Sequence, residues 1–154
     1  MIEDLIRRLT RLERFIDGLI KPEVGQWQDW TPTVTQLGGV TVTVSYARYA
    51  VIANTVILLA RLVVTGTGTA NNAIVISGIP TPILPSLATS STTMVGHLLV
   101  LDTGTAYYHT PLVYVGANNF LGIYPAGGNY VGITPNFGLV SGDEISFQAT
   151  YERA

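Results

Sequence analysis

The chain of 154 residues contains no cysteine. Disulfide stapling and thiolate metal sites are therefore excluded, and the redox compartment stays open. Charge is scarce as well. The formal net charge is -2, which gives no basic footprint for a nucleic-acid partner. Long apolar runs are missing too: Val56–Ala60 is stopped by Arg61, far short of the ~18 residues of a membrane span. The N-terminus does not read as a signal peptide, because charges recur through its apolar positions. A soluble protein is expected, with no membrane insertion and no nucleic-acid binding. No Gly-rich loop precedes a helix, so no cofactor is expected. Histidine occurs only as His97 and His109. With Asp102 they could bind a metal but show no recognisable ligand spacing, and His97 on its strand is read as packed.

What charge there is sits at one end. Residues 1–23 hold Glu3, Asp4, Arg7, Arg8, Arg11, Glu13, Arg14, Asp17, Lys21 and Glu23. Residues 24–154 hold only Asp29, Arg48, Arg61, Asp102, Asp143, Glu144, Glu152 and Arg153. The break marks two physical roles. In the charged part, Ile2, Leu5, Leu9, Leu12, Ile16 and Leu19 alternate at spacings of three and four, the a/d stripe of a coiled coil. Arg8 and Glu13 fall at g and the following e, as interchain ion pairs do. Pro22 and Gly25 end the helix. The boundaries that follow are an oligomerisation helix over 1–21, a linker over 22–30 and a β domain over 31–154. Ile at a with Leu at d leans toward two chains, though Leu9 breaks that rule, and Ile6 and Ile20 at e widen the stripe and suit three better; the heptads alone leave dimer and trimer open. Coils this short are marginal alone, so the β domain must share the subunit contact.

From Trp30 onward the period becomes two, rich in Thr, Val, Ile and Tyr and broken by Gly, Pro and Asn. Strands are predicted over 31–36, 40–50, 55–65, 73–77, 94–101, 106–115, 120–124, 130–134 and 144–151. The stretch Val56–Ala60 is apolar on both faces, as in a central strand, and Ala53-Asn54 makes a tight turn in which Asn takes the positive φ. The expected fold is mainly β, an antiparallel β-sandwich or jelly roll preceded by a short N-terminal coiled-coil helix. So few charges leave the strand edges undefended, and burial against sister subunits answers that hazard.

Three stretches carry a resemblance. Trp30-Thr31-Pro32-Thr33-Val34-Thr35, Arg48-Tyr49-Ala50-Val51-Ile52-Ala53-Asn54-Thr55-Val56, and Gly142-Asp143-Glu144-Ile145-Ser146-Phe147 with Thr150-Tyr151-Glu152 resemble, in that order, the opening, hairpin and closing strand of small trimeric β-sandwich virion proteins of tailed bacteriophages. The departure is Ala53, where the pattern has Gly, and it leaves the conformation of that turn open. The resemblance implies a non-enzymatic, trimeric β-sandwich module on capsid surfaces, head fibres, baseplates or tail fibres. Such a chain would be made in the host cytoplasm and located in the virion, with other virion proteins and host surface glycans as partners.

Two chemical readings stand beside it. Leu98–Leu101 running into Asp102-Thr103-Gly104 has the form of an aspartic-protease turn, in which paired carboxylates share a proton. Against it stand Thr105 where Ala or Ser is usual, no helix after the site and no flap, so a plain turn is preferred. For sugars, Tyr107, Tyr108, Tyr124, Asn129 and Tyr130 are the candidate contacts, since exposed Tyr beside Asn stacks on rings and bonds hydroxyls. Tyr107 and Tyr108 are adjacent and must face opposite ways. Core packing and subunit contacts are the commoner use of such residues. Trp27 and Trp30 are read as locking the helix to the sheet.

Overall fold

In a computed structural model of the chain the described residues are 25–38, 40–86, 93–116, 119–124 and 128–154, together with Glu3, Ile6, Arg8 and Thr10. Those four are helical and exposed, and Thr10 Oγ1 donates to the Ile6 carbonyl at 3.0 Å. The heptad residues Ile2, Leu5, Leu9, Leu12, Ile16 and Leu19 lie outside the described residues.

Ten strands are described: β1 (Gln28–Asp29), β2 (Thr33–Thr35), β3 (Val42–Ile52), β4 (Thr55–Val64), β5 (Val75–Ser77), β6 (Thr93–Asp102), β7 (Ala106–Tyr114), β8 (Phe120–Tyr124), β9 (Asn129–Tyr130) and β10 (Glu144–Glu152). They form one sheet in the order β1-β3-β4-β10-β6-β7-β8-β5-β2, with β9 on β8, and every ladder between them is antiparallel. The closing strand β10 thus sits in the middle, between β4 and β6. The sheet starts inside the segment expected to be linker, since β1 pairs with β3 and the Gly25 N–H donates to the Val51 carbonyl.

The sheet is strongly curled. Phe120 of β8 and Tyr151 of β10 lie three strand spacings apart along the sheet, about 14 Å if it were flat. Their ring centroids are 5.9 Å apart. One apolar core fills the concave side, drawing Val34, Leu58, Leu62, Ile76, Leu98, Leu112, Phe120 and Ile145 from seven strands. Period-two alternation explains which residues these are: in β4, Val56, Leu58, Ala60, Leu62 and Val64 are buried, while Thr55 and Arg61 are exposed. Bulges at Val44/Tyr46 and Met94/Gly96 shift the register once in β3 and once in β6.

The β3–β4 turn corrects the expectation for Asn54. The positive φ, 54°, is at Ala53, the position where the resembling hairpins carry Gly. Trp30 is buried in the core edge-on to Phe147 at 6.2 Å, and the segment it was expected to lock to the sheet lies largely outside the described residues. Trp27 is half-exposed.

Candidate functional site

The Asp-Thr-Gly segment is the turn between β6 and β7. The Thr105 N–H donates to the Asp102 carbonyl at 2.9 Å, and Gly104 takes φ 82°, which its missing Cβ permits. A second loop clamps this turn. Asp143 is fully buried. Its Oδ1 accepts the Thr103 N–H and its Oδ2 the Val140 N–H, both at 2.8 Å. Thr103 Oγ1 donates to the Gly142 carbonyl at 2.6 Å. Desolvation first, and the Asp143 carboxylate second, push the Asp102 carboxyl above its ordinary range, against a hydrogen bond from the Thr105 side chain. Two carboxylates do meet here, yet Asp143 already holds two backbone amides in the structural clamp.

The convex face of β3, β4, β10, β6 and β7 is the broadest ordered surface. Cross-strand partners form three rows over it: Thr43, Val63, Glu144, Leu101, Tyr107; then Tyr46, Arg61, Ser146, Leu99, His109; then Arg48, Leu59, Gln148, His97, Pro111. Tyr46, Leu99 and Tyr107 are exposed, and Val63, Leu59 and Leu101 are half-buried with no described layer above them. Its arginines are neutralised locally. Arg61 Nη2 donates to Glu144 Oε1 and Oε2, both at 2.8 Å, and Arg48 Nε donates to Asp29 Oδ1 at 3.1 Å. A shallow depression of about 280 Å³ opens in the lower rows, lined by Tyr46, Leu59, His97, Leu99, His109 and Gln148 among others. Contrary to the packed reading of His97, that residue is exposed, as is His109, and their rings are stacked at a centroid separation of 5.3 Å.

Among the residues expected to contact glycans, Tyr107 and Tyr108 face opposite ways. Tyr107 is 71% exposed on the convex face. Tyr108 turns the other way and stacks on Phe137 at 4.8 Å. Asn129 and Tyr130 form β9 opposite Tyr124 and Ile123, and Asn129 Nδ2 donates to Thr134 Oγ1 at 3.3 Å.

Gln36 is a structural centre that the sequence reading missed. It is fully buried. Its Nε2 donates to the carbonyls of Asn72 and Phe137 at 3.1 and 2.8 Å, and its Oε1 accepts the Leu139 N–H at 2.8 Å. Any Cβ at Gly68 or Gly132 would collide with the Gln36 side chain. The one available signal was a lone glutamine at the end of an alternating strand, and composition cannot separate that from a surface residue.

No protein-family model, curated protein or solved structure matches this chain.

Proposed function

We propose that this chain is a non-enzymatic structural accessory protein of a tailed-phage virion, an oligomeric capsid-decoration, head-fibre or short tail-fibre component. The observation that carries this reading is the convex face: five strands wide, rich in Leu, Val and Tyr, and charge-neutral because each of its arginines is paired within the chain. Five strands at ~4.8 Å and nine residues at ~3.3 Å give a footprint of roughly 700 Å². That is close to the ~800 Å² per partner of a stable protein interface. In this reading the curled sheet is a jelly-roll-like sandwich, and residues 1–21 form a parallel three-chain coiled coil through their a, d and e positions.

The motif residues support the same reading through the work they do: Trp30 seals the core against Phe147, and Tyr151 donates its hydroxyl to the Ile83 carbonyl at 2.9 Å. Sedimentation of the full chain is the first test, and a monomer at micromolar concentration overturns the reading. Leu12→Asp should weaken assembly more than Arg11→Asp, because it puts a charge into a dry seam. Immunogold labelling of virions then separates head from tail. A glycan-binding attachment role is the second reading, favoured by the exposed ring of Tyr107. Glycan-array binding that Tyr107→Ala abolishes would establish it.

A further inference from the structure

The chain's two histidines are side-chain neighbours although twelve residues part them in sequence. His97 on β6 pairs with Pro111 and His109 on β7 pairs with Leu99, so the two occupy diagonal positions on one face of adjacent antiparallel strands. Their rings are parallel to within 16° and 5.3 Å apart. Both are exposed, and among the described residues neither ring has a hydrogen-bond partner. Two imidazoles bound to one tetrahedral ion at ~2.1 Å per nitrogen have ring centroids ~5 Å apart. The strands therefore already hold the rings at ligating separation. The rings are stacked as they stand, so ligation requires rotation about Cβ–Cγ, a broad torsion for histidine, to turn one nitrogen of each toward a shared point.

The surroundings select the ion. Leu59, Leu99, Ser146 and Gln148 line the depression around the pair, so no carboxylate is at hand for a hard cation such as Mg²⁺. Among the described residues no third His, Asp or Glu joins the cluster. The charged groups on the flanking strands are already neutralised: Arg61 by Glu144 and Arg48 by Asp29. We propose that His97 and His109 form a two-imidazole site for a divalent late first-row transition ion, Cu²⁺, Ni²⁺ or Zn²⁺, with water in the remaining positions. Neutral imidazole suits these ions, and Cu²⁺ binds tightest. The site lies on the convex face that the proposed assembly uses, and it is argued from the geometry of the imidazole pair alone.

The full chain, stripped with a chelator, is titrated separately with Cu²⁺, Ni²⁺, Zn²⁺ and Mg²⁺. The expected result is one Cu²⁺, Ni²⁺ or Zn²⁺ per chain and no Mg²⁺. His97→Ala and His109→Ala should each weaken binding at least tenfold. Both positions are exposed, so circular dichroism should show both variants folded. In the wild type, the Cu²⁺ spectrum should carry hyperfine splitting from two nitrogens, and the ring-proton signals of both histidines should respond together. Binding that survives either substitution undiminished, response of only one ring, or no uptake at millimolar Ni²⁺ overturns the site.

Discussion

Replacing Gln36 tests the most connected polar group in the fold. Its amide joins β2 to the backbone at Asn72 and to Phe137 and Leu139 through three hydrogen bonds of 2.8 to 3.1 Å, all at a fully buried side chain. In Gln36→Leu the two carbonyls and the N–H lose their partner. A buried polar group left unpaired costs about 1–3 kcal/mol, so three cost roughly 6 kcal/mol. The buried leucine recovers about 1.5–3 kcal/mol of transfer energy. The expected net loss is about 4 kcal/mol, a large share of a typical domain's stability. At fixed protein concentration the urea midpoint should fall by roughly 2 M. A loss below about 1 kcal/mol refutes the reasoning.

Gln36→Glu separates hydrogen bonding from packing, because the shape is kept. Its carboxylate still accepts from Leu139 but faces the Asn72 and Phe137 carbonyls with no proton to give. The protonated acid donates one bond. The folded state therefore holds the proton more tightly than the unfolded chain, whose Glu titrates near ~4.3. With more protons bound in the folded state, stability falls as pH rises above that value, until the buried carboxyl ionises. Wild-type protein should lack this added slope, and a variant with none of it would mean that the side chain is not held among those carbonyls.

Ala53→Gly should stabilise the β3–β4 hairpin by about 0.5–1 kcal/mol, since relief of a positive-φ alanine outweighs the extra unfolded-state entropy of glycine; thermal unfolding reads it as a rise of a few degrees, and a fall refutes the turn geometry. Asp143→Asn should cost about 2–3 kcal/mol, because one carboxamide cannot accept from both Thr103 and Val140; hydrogen exchange should quicken at Thr103 and Val140. Asp102→Asn should be at least as stable as wild type at neutral pH. The raised carboxyl favours the protonated form in the folded state, so ionisation lowers wild-type stability as pH rises, and the two proteins should converge in acid. The same pair, assayed on a peptide library at acidic pH, should show no pepstatin-sensitive cleavage; cleavage by wild type alone would make Asp102 catalytic.

Strand positions were legible because period-two alternation is a local consequence of having one wet face and one dry face. All nine predicted strands overlap observed ones. The 130–134 prediction is mostly turn, where Ile133 and Thr134 both donate to the Tyr130 carbonyl. Strand order was not legible, because the last strand enters the middle of the sheet and no local pattern records that. Curl was hidden for the same reason: it appears only in contacts such as Phe120 with Tyr151. The beginning of β1 was missed because two exposed polar residues, Gln28 and Asp29, carry no alternation at all.

The histidine pair lies between these cases and shows where the boundary falls. Once residues 103–105 are taken as the turn, Asp102 pairs with Ala106, and counting back along both strands places His97 opposite Pro111 and His109 opposite Leu99. The neighbourhood of the two rings was therefore contained in one turn assignment plus antiparallel counting. What counting could not supply was which face they share. Leu98 and Val100 are buried on one side, while Leu99 and Leu101 on the other are just as apolar. A strand apolar on both faces gives no inward direction by composition, so His97 read as packed. Only the core contacts of Leu98 and Val100 fix it outward. The surface that hid its direction in the sequence is the same convex face whose apolar character makes it a candidate for contact.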